Sequence, residues 1–172
     1  MSALARYFAA KGYRVLGYDR TASPLTESLE AEGIAVQYDD SLDTVKALDV
    51  ANTIVVRTPA VPEDMAVYVW LKEQGFQILK RAEVLGLVTR SERALCVAGT
   101  HGKTTTSTML AHILHQSHVG ANAFLGGIAN NYSTNLLLDQ ESDFVVVEAD
   151  EFDRSFHHLT PYISVITSMD PD

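Results

Sequence analysis

The sequence predicts an α/β protein: a doubly wound parallel-sheet unit over residues 1–89, then a second α/β unit over residues 90–172 that opens on a turn suited to phosphate. Three observations carry this. Short strand-like runs alternate with helix-period segments at close intervals through the first half, the order that generates parallel β-α-β units. The polar run "RSER" at 90–93 interrupts that alternation. After it, an apolar run leads directly into Gly99-x-x-Gly102-Lys103-Thr104 and a helix-forming segment.

The elements follow in order. "SALARYFAAKG" places apolar residues at helical intervals and stops at Gly12, and "YRVLGYD" then reads as a strand. "SPLTESLEAEG" is a helix with Ser23 as N-cap and Gly33 as its stop. "IAVQYDD" and "ANTIVVRTPAV" supply strands, "EDMAVYVWLKEQG" a helix with Trp70 on its apolar face as core packing, "FQILK" a strand and "RAEVLGLVT" a helix. The second half reads as a strand over 94–98, a helix over 103–115, the segment "ANAFLGGIANNYSTN", and strands in "DFVVVEAD" and "YISVITSMD". The chain begins on a helix and stops after a strand, so both ends read as cut.

Composition narrows the function. Across 172 residues, 47% are hydrophobic and 20% charged, the profile of a globular protein with a packed core. A net charge of −9 argues against nonspecific nucleic-acid binding, which depends on Lys and Arg neutralising phosphates. The single cysteine, Cys96, excludes an intrachain disulfide and sits in the apolar run "ALCVAG", where it reads as a buried structural thiol. No stretch approaches the ~20 apolar residues of a membrane helix, and no signal peptide opens the chain. The expectation is a cytoplasmic protein without membrane insertion.

In "VAGTHGKTTTSTML" a glycine turn between a buried strand and a helix start aims backbone N–H groups and the helix dipole at one point. Lys103 adds a mobile positive charge, and Thr104 a hydroxyl able to ligate Mg2+. The usual phosphate-loop spacing would put a glycine five positions before Gly102, where Val97 stands, so this is a shorter form of the motif. "FVVVEADEFD" releases Glu148, Asp150, Glu151 and Asp153 at the carboxyl end of an apolar strand, where ligands of open parallel sheets sit. A metal bridging nucleotide phosphates needs a hydroxyl and a carboxylate facing each other, which pairs Glu148 with Thr104. His101, His157 and His158 lack zinc-site spacing and read from the residues alone as surface or packed histidines.

With "AGTHGKTTT", "FLGGIANN" and "VVVEADEFDRSFHHLTPYISVITSMDPD", the chain resembles the Mur ligases, and "MSALARYFAAKGYRVLGYD" and "RTPAVPED" resemble that family's uridine-nucleotide domain. The resemblance implies a Rossmann-like domain for the UDP sugar over 1–89 and part of a P-loop ATPase domain over 90–172. It also implies an ATP-dependent carboxylate–amine ligase of peptidoglycan synthesis. Such an enzyme uses ATP and Mg2+ to join L-alanine to the carboxylate of UDP-N-acetylmuramate through an acyl phosphate. The family's ATP loop falls on Gly99, Thr100, Gly102, Lys103 and Thr104, with His101 and Thr105 in the same stretch, and its metal carboxylate on Glu148. Asp19 and Thr58, Pro59 and Ala60 match the region that cradles the UDP sugar, and Asp153 and His158 match residues near the substrate carboxylate.

In the family a strand and a Gly-x-Gly-Gly-x-Gly loop precede the counterpart of Met1, and "DPD" continues into a His and further domains. The expectation is therefore an inactive piece of a longer ligase, with a homodimer left open. Competing expectations are a murein-peptide ligase of the same family, a nucleotide-dependent oxidoreductase and a non-catalytic UDP-sugar-binding module. The Lys103–Thr104 pair has no task in the last two.

Overall fold

A computed structural model describes residues 1–149 and 156–170. Asp150, Glu151 and Asp153 lie outside the described residues.

The first half contains α1 (Ser2–Ala10), β1 (Leu16–Tyr18), α2 (Pro24–Ala31), β2 (Ala35–Gln37), β3 (Ile54–Arg57), α3 (Ala66–Glu73) and β4 (Gln77–Lys80). Then follow α4 (Arg81–Ser91), β5 (Arg93–Ala98), α5 (Lys103–His115), β6 (Asn122–Ala129), β7 (Thr134–Leu137), β8 (Phe144–Glu148) and β9 (Ile163–Ile166). The result is a mixed α/β fold rich in parallel pairs. The local signals act as their chemistry demands. Ser23 Oγ accepts the Thr26 N–H at 3.3 Å to cap α2, and Gly33 follows it at φ +86°, which a side chain would disfavour.

A continuous parallel sheet is broken in two places. Among the described residues of the first half β1 pairs with β2 alone and β3 with β4 alone, both parallel, giving two separate two-stranded sheets. These are linked through helices and loops: both carboxylate oxygens of Asp40, beyond β2, accept the Ala66 and Val67 N–H groups at 2.7 and 2.8 Å and cap α3 from 26 and 27 residues away. Trp70 packs on Phe76 in a satellite core with Val67 and Leu71. In the second half the sheet order is β7-β6-β8-β5-β9, and β6–β7 is antiparallel. The four residues between β6 and β7 are too few for a parallel crossover, which needs a dozen or more.

The main core lies on both faces of this five-stranded sheet. Val145, Val146 and Val147 of β8 are each 0% exposed, as a strand covered on both faces requires. Val145 and Val147 join Cys96, Phe124, Leu4, Tyr7, Val84 and Val88 on the side covered by α1 and α4. Val146 faces Leu95, Ala123, Leu125 and Ala111 on the side covered by α5. Burial pushes the Cys96 thiol up to about 11.

The expected polar interruption at 90–93 is absorbed into regular structure: Arg90 and Ser91 complete α4, and Arg93 opens β5. Glu92 turns inward, with its side chain 8% exposed, where it pairs with Lys11 Nζ at 2.7 Å and accepts from the Tyr7 hydroxyl and from Asn122 Nδ2 at 3.3 Å.

Candidate functional site

β5 and β8 run parallel with Val97 opposite Glu148, so the turn after β5 and the carboxylate ending β8 emerge at the same edge of the sheet. The turn is bent by two glycines, Gly99 at φ +129° and Gly102 at φ +81°. Gly102 is the N-cap of α5, and Lys103 and Thr104 open the helix. The first-turn N–H groups of a helix have no intrahelical partners, so this geometry presents them, with the positive end of the dipole, to an anion at the sheet edge.

The turn is supported by residues leaving β9. The Thr100 N–H donates to the Ser168 carbonyl at 3.3 Å, and the His101 N–H donates to Ser168 Oγ at 2.9 Å. The Thr167 N–H donates to the Ala98 carbonyl at 3.0 Å, and the Thr100 hydroxyl to the Asp170 carbonyl at 3.1 Å. The fit is close: a Cβ on Gly99 would lie 2.2 Å from Thr167 Oγ1 and 2.8 Å from the Ser168 nitrogen. Inside the turn, Lys103 Nζ donates to the Gly99 carbonyl at 2.7 Å.

Opposite the turn, the Thr104 hydroxyl donates to Glu148 Oε2 at 3.0 Å, the pairing expected of the two residues. The other carboxylate oxygen, Oε1, accepts the Ser107 hydroxyl and the Gly126 N–H, each at 2.7 Å. Among the described residues no group of three or more His, Cys, Asp or Glu side chains could hold a metal ion. One hydroxyl beside one carboxylate nevertheless suits Mg2+, which keeps waters and completes its shell with nucleotide phosphates. Next to Thr104 opens a cavity of about 380 Å³ between α5 and the end of β6, lined by Thr105, Thr108, His112, Asn130 and Asn131 among others. The lining residue His112 has its Nδ1 2.7 Å from the Tyr132 hydroxyl.

The remaining expected site residues are more dispersed. Asp19 follows β1 and Thr58, Pro59 and Ala60 follow β3, so both groups occupy carboxyl ends of first-half strands, on different two-stranded sheets. His158 is exposed in a short turn over α4, and its carbonyl would lie 2.4 Å from a Cβ on Gly86. Asp153 lies outside the described residues. Four residues that the sequence reading passed over serve the site: Ser107, Gly126, Thr167 and Ser168. Ser107 stands three positions after Thr104 on one helix, a spacing that could have revealed it. The other three arrive through strand neighbours, which the chain order does not disclose.

A strand leading into a glycine turn that opens a helix, with an acidic strand end alongside, defines a phosphate-loop α/β unit, here preceded by another α/β region. The chain belongs to the Mur ligase family: residues 1–93 match "Mur ligase family, catalytic domain" and residues 97–172 match "Mur ligase middle domain". It is 61% identical to a UDP-N-acetylmuramate–L-alanine ligase of Phocaeicola vulgatus over 174 aligned positions, covering all of this chain and 38% of the relative. The ligase of the same name from Porphyromonas gingivalis strain W83 shows the same identity and coverage. Among solved structures, the UDP-N-acetylmuramate:L-alanyl-gamma-D-glutamyl-meso-diaminopimelate ligase from Neisseria meningitides aligns with TM-score 0.82 at 29% identity, over 100% of this chain and 58% of its own. UDP-N-acetylmuramate-alanine ligase from Thermotoga maritima aligns with TM-score 0.79 at 29% identity, over 98% and 39%. The chain thus spans 38% of the length of the curated relatives it matches. No helix among the described residues is long and apolar enough to cross a membrane.

Proposed function

We propose that this chain supplies the UDP-sugar region, residues 1–89, and the ATP loop, within residues 90–172, of a cytoplasmic ligase joining L-alanine to UDP-N-acetylmuramate. The observation that carries the reading is the convergence of Lys103, Thr104 and Glu148 at one sheet edge, in a chain 61% identical over its whole length to ligases of that name. In the reaction a carboxylate oxygen of the muramoyl group attacks the γ-phosphorus of ATP and expels ADP. The amine of L-alanine then attacks the acyl carbon, loses a proton and expels phosphate, leaving an amide.

The chain's own residues serve the first half of that sequence. The Gly99–Thr104 turn cradles the phosphate chain with backbone N–H groups. Lys103 exchanges its bond to the Gly99 carbonyl for the transferring phosphate and offsets the charge that gathers there. Thr104 and Glu148 would hold Mg2+, which when bound neutralises phosphate charge. Asp19 and the Thr58–Ala60 loop contribute to the sugar nucleotide's site, and Asp153 and His158 are assigned to the acceptor carboxylate by their match to the family's motif alone. Phosphoryl transfer asks little covalent chemistry of the protein, so positioning and charge compensation account for most of the catalysis.

The test is phosphate release by a full-length protein carrying this segment, given ATP, UDP-N-acetylmuramate and either L-alanine or the tripeptide L-alanyl-γ-D-glutamyl-meso-diaminopimelate. Release that requires L-alanine supports the reading. Release with the tripeptide alone would make the protein a murein-peptide ligase, and release with neither amine would remove the ligase assignment.

A further inference from the structure

The two oxygens of Glu148 are held differently. Oε1 accepts two donors, the Ser107 hydroxyl and the Gly126 N–H at 2.7 Å each, whereas among the described residues Oε2 accepts the Thr104 hydroxyl alone, at 3.0 Å. Ser107 is 0% exposed, on the turn of α5 that follows Thr104. Its single proton has a second acceptor within reach, the Thr104 carbonyl at 3.1 Å. The carboxylate is both closer and charged, so the proton goes to it. Gly126 closes the seat from the other strand: a Cβ there would come within 2.3 Å of Oε2 and 3.0 Å of Oε1. The carboxylate is therefore fixed in a slot whose floor is a buried hydroxyl and a strand N–H, with its other oxygen on the Thr104 hydroxyl at the start of α5.

We infer that Ser107 is a positioning residue for the metal centre: with Gly126 it anchors Oε1 so that Oε2 alone is presented, beside Thr104, as a one-oxygen ligand for a divalent cation. The inference rests on the metal role given to Thr104 and Glu148 above. Its physical basis is that outer partners of a metal carboxylate fix its orientation before the ion arrives, sparing the ion the cost of ordering it. A side chain that merely filled the core would act through packing and would leave metal affinity alone.

The experiment measures Mn2+ binding by electron paramagnetic resonance, at saturating ATP, in a full-length protein carrying this segment and in its Ser107→Ala, Gly126→Ala and Glu148→Gln variants, with thermal melting as the control for folding. Ser107→Ala is expected to raise the Mn2+ midpoint by roughly tenfold, the usual scale for losing an outer partner of a metal ligand. The KM for Mg2+ should rise with it, while kcat at saturating Mg2+ stays much closer to wild type. Gly126→Ala should move the midpoint in the same direction by displacing the carboxylate directly, and if Ser107→Ala fails to fold, Ser107→Cys, which keeps the size and weakens the donor, takes its place: a raised midpoint supports the role of Ser107 and an unchanged one overturns it. An unchanged midpoint in a folded Ser107→Ala protein, with Glu148→Gln shifted, would overturn the role of Ser107 and leave the metal site standing. An unchanged midpoint in Glu148→Gln would overturn the metal site itself and this inference with it.

Discussion

The hydroxyl of Tyr7 donates to the carboxylate of Glu92, tying the first helix to the residue just before β5, the strand that delivers the phosphate-loop turn. Tyr7 is 3% exposed, and its ring packs 5.2 Å from that of Phe124 on β6. The first half and the half that carries the glycine turn therefore share a core at this point, with a buried carboxylate inside it held by Tyr7, Lys11 and Asn122.

Removing that carboxylate should cost more than removing any one of its donors. Glu92→Ala strands three donors at once and is expected to lower stability by about 2–4 kcal/mol, against about 1 kcal/mol for Tyr7→Phe, which deletes one neutral partner. Urea unfolding midpoints would order the two variants. Burial, and then the bond to Glu92, raise the Tyr7 pKa above its ordinary value of 10.0. The folded state thus prefers the protonated phenol, and the contribution is complete below pH ~10 and is lost as the pH climbs through the raised folded value. Stability of the wild type should fall more steeply above pH ~10 than that of Tyr7→Phe, and parallel curves would refute the coupling.

Lys103→Ala should leave the fold intact, because the side chain is only half-buried, and should reduce phosphoryl transfer by ~10²-fold or more, the usual cost of losing such an electrostatic group. Single-turnover formation of ADP in a full-length protein carrying this segment would measure it. Near-normal ligation would remove the loop from the mechanism.

Cys96 is 4% exposed in the middle of β5, and burial holds its thiol up to about 11, so almost no thiolate exists at neutral pH. Thiol-specific reagents should leave it unlabelled in the native protein and modify it fully in denaturant. Rapid native labelling would mean that the sheet opens between β5 and its neighbours.

Much of this architecture is legible in the chain because its signals are local. Ser23 caps α2 through its own neighbour Thr26, α5 spans the expected 103–115, and the apolar run before Glu148 forms a strand buried on both faces. The Thr104–Glu148 contact is also legible, since the carboxyl ends of adjacent parallel strands meet. What escapes is decided by partners far away in sequence. Asp40 caps a helix 26 residues on, Glu92 looks like part of a solvated charge run until Tyr7 and Asn122 close over it, and Thr167 and Ser168 matter only because β9 pairs with β5. The antiparallel β6–β7 pair escapes because "ANNYS" carries turn residues without a strong strand signal after them.

Gly99 offers the sharpest test of the turn, because backbone conformation and space both demand glycine there. At φ +129° an L side chain is strained by of order 1–3 kcal/mol before any contact is counted. A Cβ would also press to 2.2 Å from Thr167 Oγ1 and 2.8 Å from the Ser168 nitrogen, and neither group is the loose end of a long side chain. Gly99→Ala must therefore displace the turn from β9, breaking the Thr100 and His101 N–H bonds to Ser168 and moving the Gly99 carbonyl that receives Lys103 Nζ. Gly102→Ala makes the contrast, since among the described residues its Cβ would meet Thr167 Cβ alone, at an ordinary 3.9 Å, and its strain is conformational. The expected outcome is a larger loss of ATP affinity in Gly99→Ala than in Gly102→Ala, by roughly tenfold for each 1.4 kcal/mol that separates them. Calorimetric titration with ATP in a full-length protein carrying this segment would measure both. Equal losses would show that space around the turn is not what fixes glycine at position 99.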